Sequence, residues 1–469
     1  MILVVSQKQK MTQRQIATKF TQFVDGAPTP FHSVQQAIKR LEISGFERIR
    51  EDVTWGMGAV KAGGKYYYTR NSSTIVAFAV GTQFKAGNAF KVIGAHTDSP
   101  ALKVKPVSKK DGGGIEQVAA ECYGGGLWYT WFDRDLGVAG RAIVRSGDTG
   151  FKETLIHIKK PILKIPSLAI HLQSSEQRAS LKINKEDHII PMLGLIDDNL
   201  NNAGTSDARH HSSFMNAIAE NAGCAPQDIL DIELTLCDTQ NAQIGGVADD
   251  FVFSPRLDNQ MHCFTSLEAL CNHCDSNELE ADEDCSVVVL FDHEECGSQS
   301  NVGAGSPIMR DAVVRISGVF TNDPEIFHIS LNKSILFSAD GAHAVCPNYM
   351  SVHDKLHSPR LGEGTVIKTN DNQRYATNGV TGFLVRELAR KHNIKVQEFM
   401  VRNDCPCGTT IGPIIAANTG IRTVDIGVPQ WSMHSIRETC SVNDIASNLQ
   451  LLTAFFKDIR KIDKSLSTL

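Results

Sequence analysis

The feature that most restricts how this chain can fold is a repeated pairing: an apolar run of strand length, then a histidine or a carboxylate within a few residues. Residues 91–95 lead into His96-Thr-Asp98, and residues 286–291 lead into Asp292-His-Glu-Glu295. Residues 334–337 precede Asp340, and residues 421–426 precede a loop that carries His434. A further strand-like run covers 396–401, and amphipathic stretches alternate with these runs at 260–273, 381–391 and 442–462. Such alternation predicts α/β layering around a mixed, largely parallel sheet. In the last stretch Ile445, Leu449, Leu452, Phe455, Phe456 and Ile459 fall on one helical face, which reads as a packed terminal helix. Open sheets of this kind bind ligands where the carboxyl ends of adjacent strands leave a crevice, and the polar residues fall at those ends.

Residues 99–247 follow a different pattern, with short β-like pieces, glycine-rich turns at 112–114 and 124–126, and a polar stretch at 197–213 read as a mobile loop. The expected organisation is therefore a catalytic domain in two parts, 1–98 and 248–469, interrupted by an inserted β-rich domain at 99–247. Lysine plus arginine number 47 and aspartate plus glutamate 52, a net charge of −5 that gives no drive toward a polyanion or an anionic membrane. Neither nucleic acid nor membrane is expected as a partner. No apolar run approaches the roughly 20 residues of a bilayer crossing. Residues 1–15 hold only the short run 2–5, less than the ~7–15 apolar residues of a secretory core. A cytoplasmic location is expected, with the 12 cysteines as reduced thiols.

The chemistry is carried by residues that stand far apart in sequence. A ligating histidine usually has its second ring nitrogen oriented by a carboxylate, and Asp98 is near enough to His96 to do this. Asp258, in Arg256-Leu-Asp-Asn259, opens a helical stretch, where an N-cap aspartate is an ordinary alternative. Glu294 and Glu295 would point to opposite sides within a strand, but the turn at a strand end can bring both into one crevice. One could then bind metal while the other acts as general base. His96, Asp258, Glu295, Asp340 and His434 form an N/O donor set that suits zinc, manganese or cobalt. Two histidines and three carboxylates exceed what one tetrahedral ion with an open position needs, and suit two ions about 3.5–4 Å apart sharing a carboxylate.

Other signals are weaker. A His-Glu-x-x-His helix and a phosphate-binding Gly-x-x-x-x-Gly-Lys-Ser/Thr loop are both absent. Cys271-Asn-His-Cys274 has no second pair to complete a zinc site, because Cys405-Pro-Cys407 is too tight, so Cys271 and Cys274 read as helix cysteines. Residues 408–412 could start a helix and offer N–H groups to an anion, or be a plain helix entry.

Several stretches resemble the aspartyl aminopeptidases: Gly94-Ala-His-Thr-Asp-Ser-Pro100, Phe291-Asp-His-Glu-Glu-Cys-Gly-Ser298, Ala339-Asp-Gly-Ala-His-Ala344, Asn403-Asp-Cys-Pro-Cys-Gly-Thr-Thr-Ile-Gly-Pro413 and Ser432-Met-His-Ser-Ile-Arg-Glu438. The likeness extends to residues 131–140 and 165–172, so it spans nearly the whole chain. It implies a di-zinc exopeptidase fold whose inserted domain mediates dimer contacts within a homo-oligomer, a tetrahedral dodecamer. It also implies removal of N-terminal Asp or Glu from peptides, with two Zn²⁺ per subunit that Mn²⁺ or Co²⁺ could replace. His96 and Asp340 would hold one zinc, Glu295 and His434 the other, and Asp258 would bridge them. Glu294 would be the general base, with Asp98 beside it in the catalytic set. His343, Lys368, Tyr375 and His171 match substrate contacts, with His171 supplied to a neighbouring subunit and Arg374 as second choice for the acidic side chain. From the residues alone, His171 would be a core histidine in a β-like run at 168–172. Two departures are Cys346, where a histidine is usual, and Cys296, where an aliphatic residue is usual. The metal residues by themselves leave open a di-metal deacylase or carboxypeptidase, and a non-catalytic assembly or cargo subunit.

Overall fold

The apolar runs are strands buried on both faces, which is why they read as continuous rather than alternating. In Thr74–Val80 every residue is buried. Ile75, Ala77 and Ala79 enter one apolar cluster with the helices Gln13–Asp25, Leu257–Asp275 and Val442–Ser465. Val76, Phe78 and Val80 enter a second cluster with Ile308–Phe320. Each such side chain contributes about 1.5–3 kcal/mol by leaving water. The computed structural model describes residues 11–56, 58–196 and 209–466.

These strands form a nine-stranded sheet in the order Glu47–Arg48, Lys65–Arg70, Thr74–Val80, Cys285–Phe291, Phe90–His96, Ile335–Ala339, Arg422–Gly427, Thr365–Lys368, Val396–Phe399. The four strands from Cys285–Phe291 to Arg422–Gly427 run parallel, and antiparallel pairs flank them. The expected mixed, largely parallel sheet is therefore present, each predicted strand lying within a residue or two of its expected bounds. The terminal helix runs over Val442–Ser465, with the six residues of its predicted apolar face buried.

Residues 101–238 build a separate six-stranded antiparallel sheet in the order Gly150–Leu163, Leu136–Ser146, Ile229–Asp238, Ala101–Gly112, Ile115–Tyr123, Met192–Leu195. These strands are long, up to 14 residues, where the sequence suggested short pieces. Ionic side chains such as Arg141 and Glu233 interrupt the apolar pattern yet pair across strands, with Arg141 Nη2 2.8 Å from Glu233 Oε2. The sheet has its own apolar cluster, including Trp128, Trp131, Val138, Ile156 and Phe214. Of the polar stretch at 197–213, positions 197–208 lie outside the described residues, and a helix, Ser212–Ala222, begins at its end.

A third, five-stranded sheet joins Gln243–Gly245, Phe251–Ser254, Glu438–Ser441, Pro429–Trp431 and Ala342–His343. Its strands are only two to four residues long, too short to leave a periodic signal. Among the described residues no helix is long and apolar enough to cross a membrane.

Candidate metal centre

The parallel strands deliver the predicted residues to one edge. His96 ends Phe90–His96, Glu294 and Glu295 follow Cys285–Phe291, and Asp340 follows Ile335–Ala339. Asp258 lies in the first, non-helical turn of Leu257–Asp275, and His434 in the loop between Pro429–Trp431 and Glu438–Ser441. Asp258 stands between the histidines, its Oδ1 3.2 Å from His96 Nε2 and its Oδ2 3.5 Å from His434 Nε2. Asp340 Oδ1 is 3.5 Å from His96 Nε2, and Glu295 Oε2 is 3.4 Å from His434 Nε2. Glu294 Oε2 lies 3.9 Å from His96 Nε2.

Both imidazoles present Nε2 to the cluster because Nδ1 is engaged behind them. His96 Nδ1 is 3.1 Å from the Asp98 carbonyl oxygen and 3.4 Å from Asp98 Oδ1. His434 Nδ1 is 2.8 Å from the carbonyl oxygen of Gly125, in the glycine-rich turn of the six-stranded region. This is the outer arrangement that orients histidine ligands to a metal. Asp98 also accepts the backbone N–H of Glu294 (3.1 Å) and of Glu295 (3.0 Å), and the Tyr123 hydroxyl (2.6 Å). It thus fixes the turn carrying both glutamates.

Charge is unbalanced in this cluster. Burial opposes a charge on His96, yet Glu294 and then Asp258, Asp340 and Asp98 overcome it and hold the imidazole pKa well above its usual value. Against the same opposition, Asp258 and Glu295 raise His434 to about 10. Glu294 is pushed up to about 8, first by burial, with His96 opposing and Asp340, Asp98 and Asp258 reinforcing. Glu295 is raised further by burial and by Asp258. Asp258, despite burial, is held well below the usual carboxylate range by the two histidines.

The donor set fits zinc on two observations. His96, Asp258 and Asp340 offer three ligand atoms within 4.8 Å of one another, and so do Asp258, Glu295 and His434; His96, Glu294 and Glu295 make a third such group. Asp258 Oδ1 and Glu295 Oε1 are buried without a hydrogen-bond partner, an arrangement that is costly unless something else satisfies them. Imidazole and carboxylate donors in this number suit zinc.

The predicted substrate residues divide into two places. Lys368 is 2% exposed. Its Nζ donates to the Gly341 carbonyl at 3.0 Å, lies 3.7 Å from Asp340 Oδ2, and sits 5.1 Å above the Tyr375 ring. His343 and Tyr375 both pack on Phe399 beside it. Arg374 is exposed, with Nε held by the carbonyls of Cys407 and Gly408. His171 takes no part in this cluster. It lies on the 3₁₀ turn Ile170–Leu172, exposed between Leu168 (51%), Ile170 (59%) and Leu172 (73%), so the reading of a core histidine in a β-run is wrong. Pro166, lacking an N–H, stands just before the run, and residues 165–169 pair with no strand.

Cys271 and Cys274 lie within Leu257–Asp275, and residues 408–412 lead into the helix Ile411–Thr419 capped by Thr410. Two contributors escaped the sequence. Glu438 accepts the backbone N–H of both Asp258 and His434, and Tyr123 holds Asp98. Glu438 ends the same motif as His434, and Tyr123 precedes the 124–126 turn, but neither spacing signals a contact. A cleft between the two layers reaches Asp98, Asp258, His434 and Glu438, with Tyr123 and Trp131 in its wall.

The chain is similar to known proteins over nearly its whole length. The family described as aminopeptidase I zinc metalloprotease (M18) matches residues 23–456. A probable aspartyl aminopeptidase of Ricinus communis is 46% identical over 472 residues, covering 95% of this chain and 96% of that protein. A chain in the cryo-EM structure of an Ape4 and Nbr1 complex is 40% identical with a TM-score of 0.95, covering 97% of this chain and 88% of that one. A chain of the S. cerevisiae mApe1 dodecamer is 33% identical with a TM-score of 0.86, covering 97% and 99%.

Proposed function

The chain belongs to the aminopeptidase I zinc metalloprotease family, and on that premise we propose that it removes N-terminal Asp or Glu from peptides, with Glu294 as general base. It is a zinc aminopeptidase, which sets aside the deacylase, carboxypeptidase and idle-subunit readings. The observation that carries the assignment is Asp258 standing between His96 and His434, one carboxylate oxygen toward each. We assign His96 and Asp340 to one zinc, Glu295 and His434 to the other, and Asp258 to both. Zinc held there supplies a Lewis acid for the scissile carbonyl and makes water a stronger acid.

The protein's own groups do the rest. Glu294 takes a proton from the attacking water and returns it to the leaving amine, and it must be ionised to begin. Burial among carboxylates disfavours that form, and a bound cation acts in the opposite sense. Asp98 keeps the base in place through the backbone N–H of Glu294, so the carboxylate need not reorganise. Lys368 has one N–H committed to Gly341 and two more for an acidic substrate side chain, with Tyr375 and His343 forming the wall. The aspartyl aminopeptidase name of relatives sharing up to 46% identity supports acidic specificity.

We further propose that 99–247 is an inserted dimerisation and lid domain, and that the chain forms a homo-oligomer of the dodecameric kind. An exposed His171 among exposed leucine and isoleucine side chains suits contact with a neighbouring subunit. A panel of peptides differing only at the first residue tests the reading. Free Asp or Glu should be released, chelation should abolish release, and Zn²⁺, Mn²⁺ or Co²⁺ should restore it. Equal cleavage after neutral and acidic residues would sink the specificity.

A further inference from the structure

The loops that carry Asp258 and His434 meet on one side chain. Glu438 accepts the Asp258 N–H at Oε2 (3.1 Å) and the His434 N–H at Oε1 (2.9 Å), with Gln430 Nε2 3.3 Å from Oε1. It is 2% exposed. Both loops place residues other than glycine in the left-handed region: Arg256 (φ 56°) before Asp258, Ser432 (φ 59°) and His434 itself (φ 67°). Such a backbone is not its own local preference, and the surroundings must hold it.

His96 and Asp340 need no such help. His96 pairs with Phe291 in the parallel ladder, and the Asp340 N–H donates to the Ile426 carbonyl at 3.0 Å, so sheet hydrogen bonds fix both. A carboxylate whose two oxygens each hold one amide sets the separation of the two loops in one rigid group. We propose that Glu438 is a positioning residue that fixes His434 against Asp258 and so sets the affinity of the zinc position formed by Glu295 and His434, without touching the ion. This rests on the ligand assignment above. The position formed by His96 and Asp340 loses little, because two of its ligands are placed by the sheet.

Zinc-loaded wild type and Glu438→Gln are titrated with a chelator, released zinc is counted, and near-UV circular dichroism reports the fold. Gln keeps the size but leaves one acceptor, and its amide nitrogen faces the second N–H. Wild type should release two equivalents. The variant should release one at about 10- to 100-fold weaker affinity and the other at the wild-type affinity. Equal weakening of both, weakening of neither, or a variant that does not fold in excess zinc would overturn the proposal. A wild type that never holds two zincs would instead overturn the ligand assignment. Residue-resolved hydrogen exchange on the zinc-loaded wild type needs no variant. The Asp258 and His434 amides should exchange slowly, and fast exchange at either rejects Glu438 as their common acceptor.

Discussion

The nine-stranded and six-stranded layers both reach the metal centre, but with different chemistry. The parallel layer delivers side chains from strand ends: His96, Glu294, Glu295 and Asp340. The antiparallel layer delivers a backbone carbonyl, Gly125, which orients His434 in a loop of the five-stranded sheet, and a phenol, Tyr123, which holds Asp98 behind the residues the first layer presents. Reactive groups thus gather where parallel strands end together, and the antiparallel layer contributes support. Four substitutions and one titration test whether this division holds.

The largest effect is expected at the parallel edge. Glu294→Gln should keep its zinc and lose about 10²- to 10⁴-fold in turnover, read by kcat alongside metal analysis. Loss of zinc would mean that Glu294 belongs to the group it forms with His96 and Glu295, and is a ligand.

The sharpest challenge to the division is His171, which lies beyond Leu163, the last residue of a strand of the antiparallel sheet. If it reaches a neighbour's site, that layer contributes a working side chain after all. His171→Ala and Glu294→Gln oligomers should each be inactive, and mixed oligomers should recover turnover. A fully active His171→Ala enzyme would restore the simple division.

At the substrate pocket, Lys368→Ala should reduce the preference for Asp over Ala by about 10- to 150-fold, the worth of a charge-assisted contact. The ratio of kcat/KM values on the two substrates measures it, and an unchanged ratio moves the role to Arg374. Tyr123→Phe should act more weakly, because Asp98 keeps the two amide donors of Glu294 and Glu295. A several-fold rise in the zinc dissociation constant with kcat intact is expected, the scale of one hydrogen bond. A kcat loss rivalling Glu294→Gln would give the antiparallel layer a direct part in the reaction.

The smallest effect is a pH trend in zinc-free protein. His434 (raised to about 10), Glu294 and Glu438 (each to about 8) bind protons more tightly folded than unfolded. For Glu294 and Glu438 that stability is complete below their unfolded pKa, about 4.5, and is lost as pH rises through about 8. For His434 it is complete below about 6.5 and is lost toward about 10. The melting temperature of the zinc-free chain should therefore fall from pH 6 to pH 9, and zinc should flatten the trend. A rise over that range would show that these three groups do not dominate the titration.

The same division explains what could be read from sequence. A strand buried on both faces is a continuous apolar run, so its end is visible and the residue after it can be noticed, as with Phe291 before Asp292-His-Glu-Glu295. Asp258 and His434 were legible only as members of the set, since each sits in an irregular loop. Glu438 and Gly125 act through backbone hydrogen bonds that leave no compositional trace. His171 was read from its apolar neighbours as buried, whereas those neighbours are exposed and suit another molecule.

The assigned zinc ligands run from His96 to His434, with Asp258, Glu295 and Asp340 between, so the site belongs to no short stretch of the chain. The second zinc position needs His434 as well as Asp258 and Glu295, so it cannot form before the chain has been made that far. A partly synthesised chain therefore carries the carboxylates and the base but lacks the centre that joins them. A copy that ends short of His434 should therefore not cut peptides, however much of the sheet it contains.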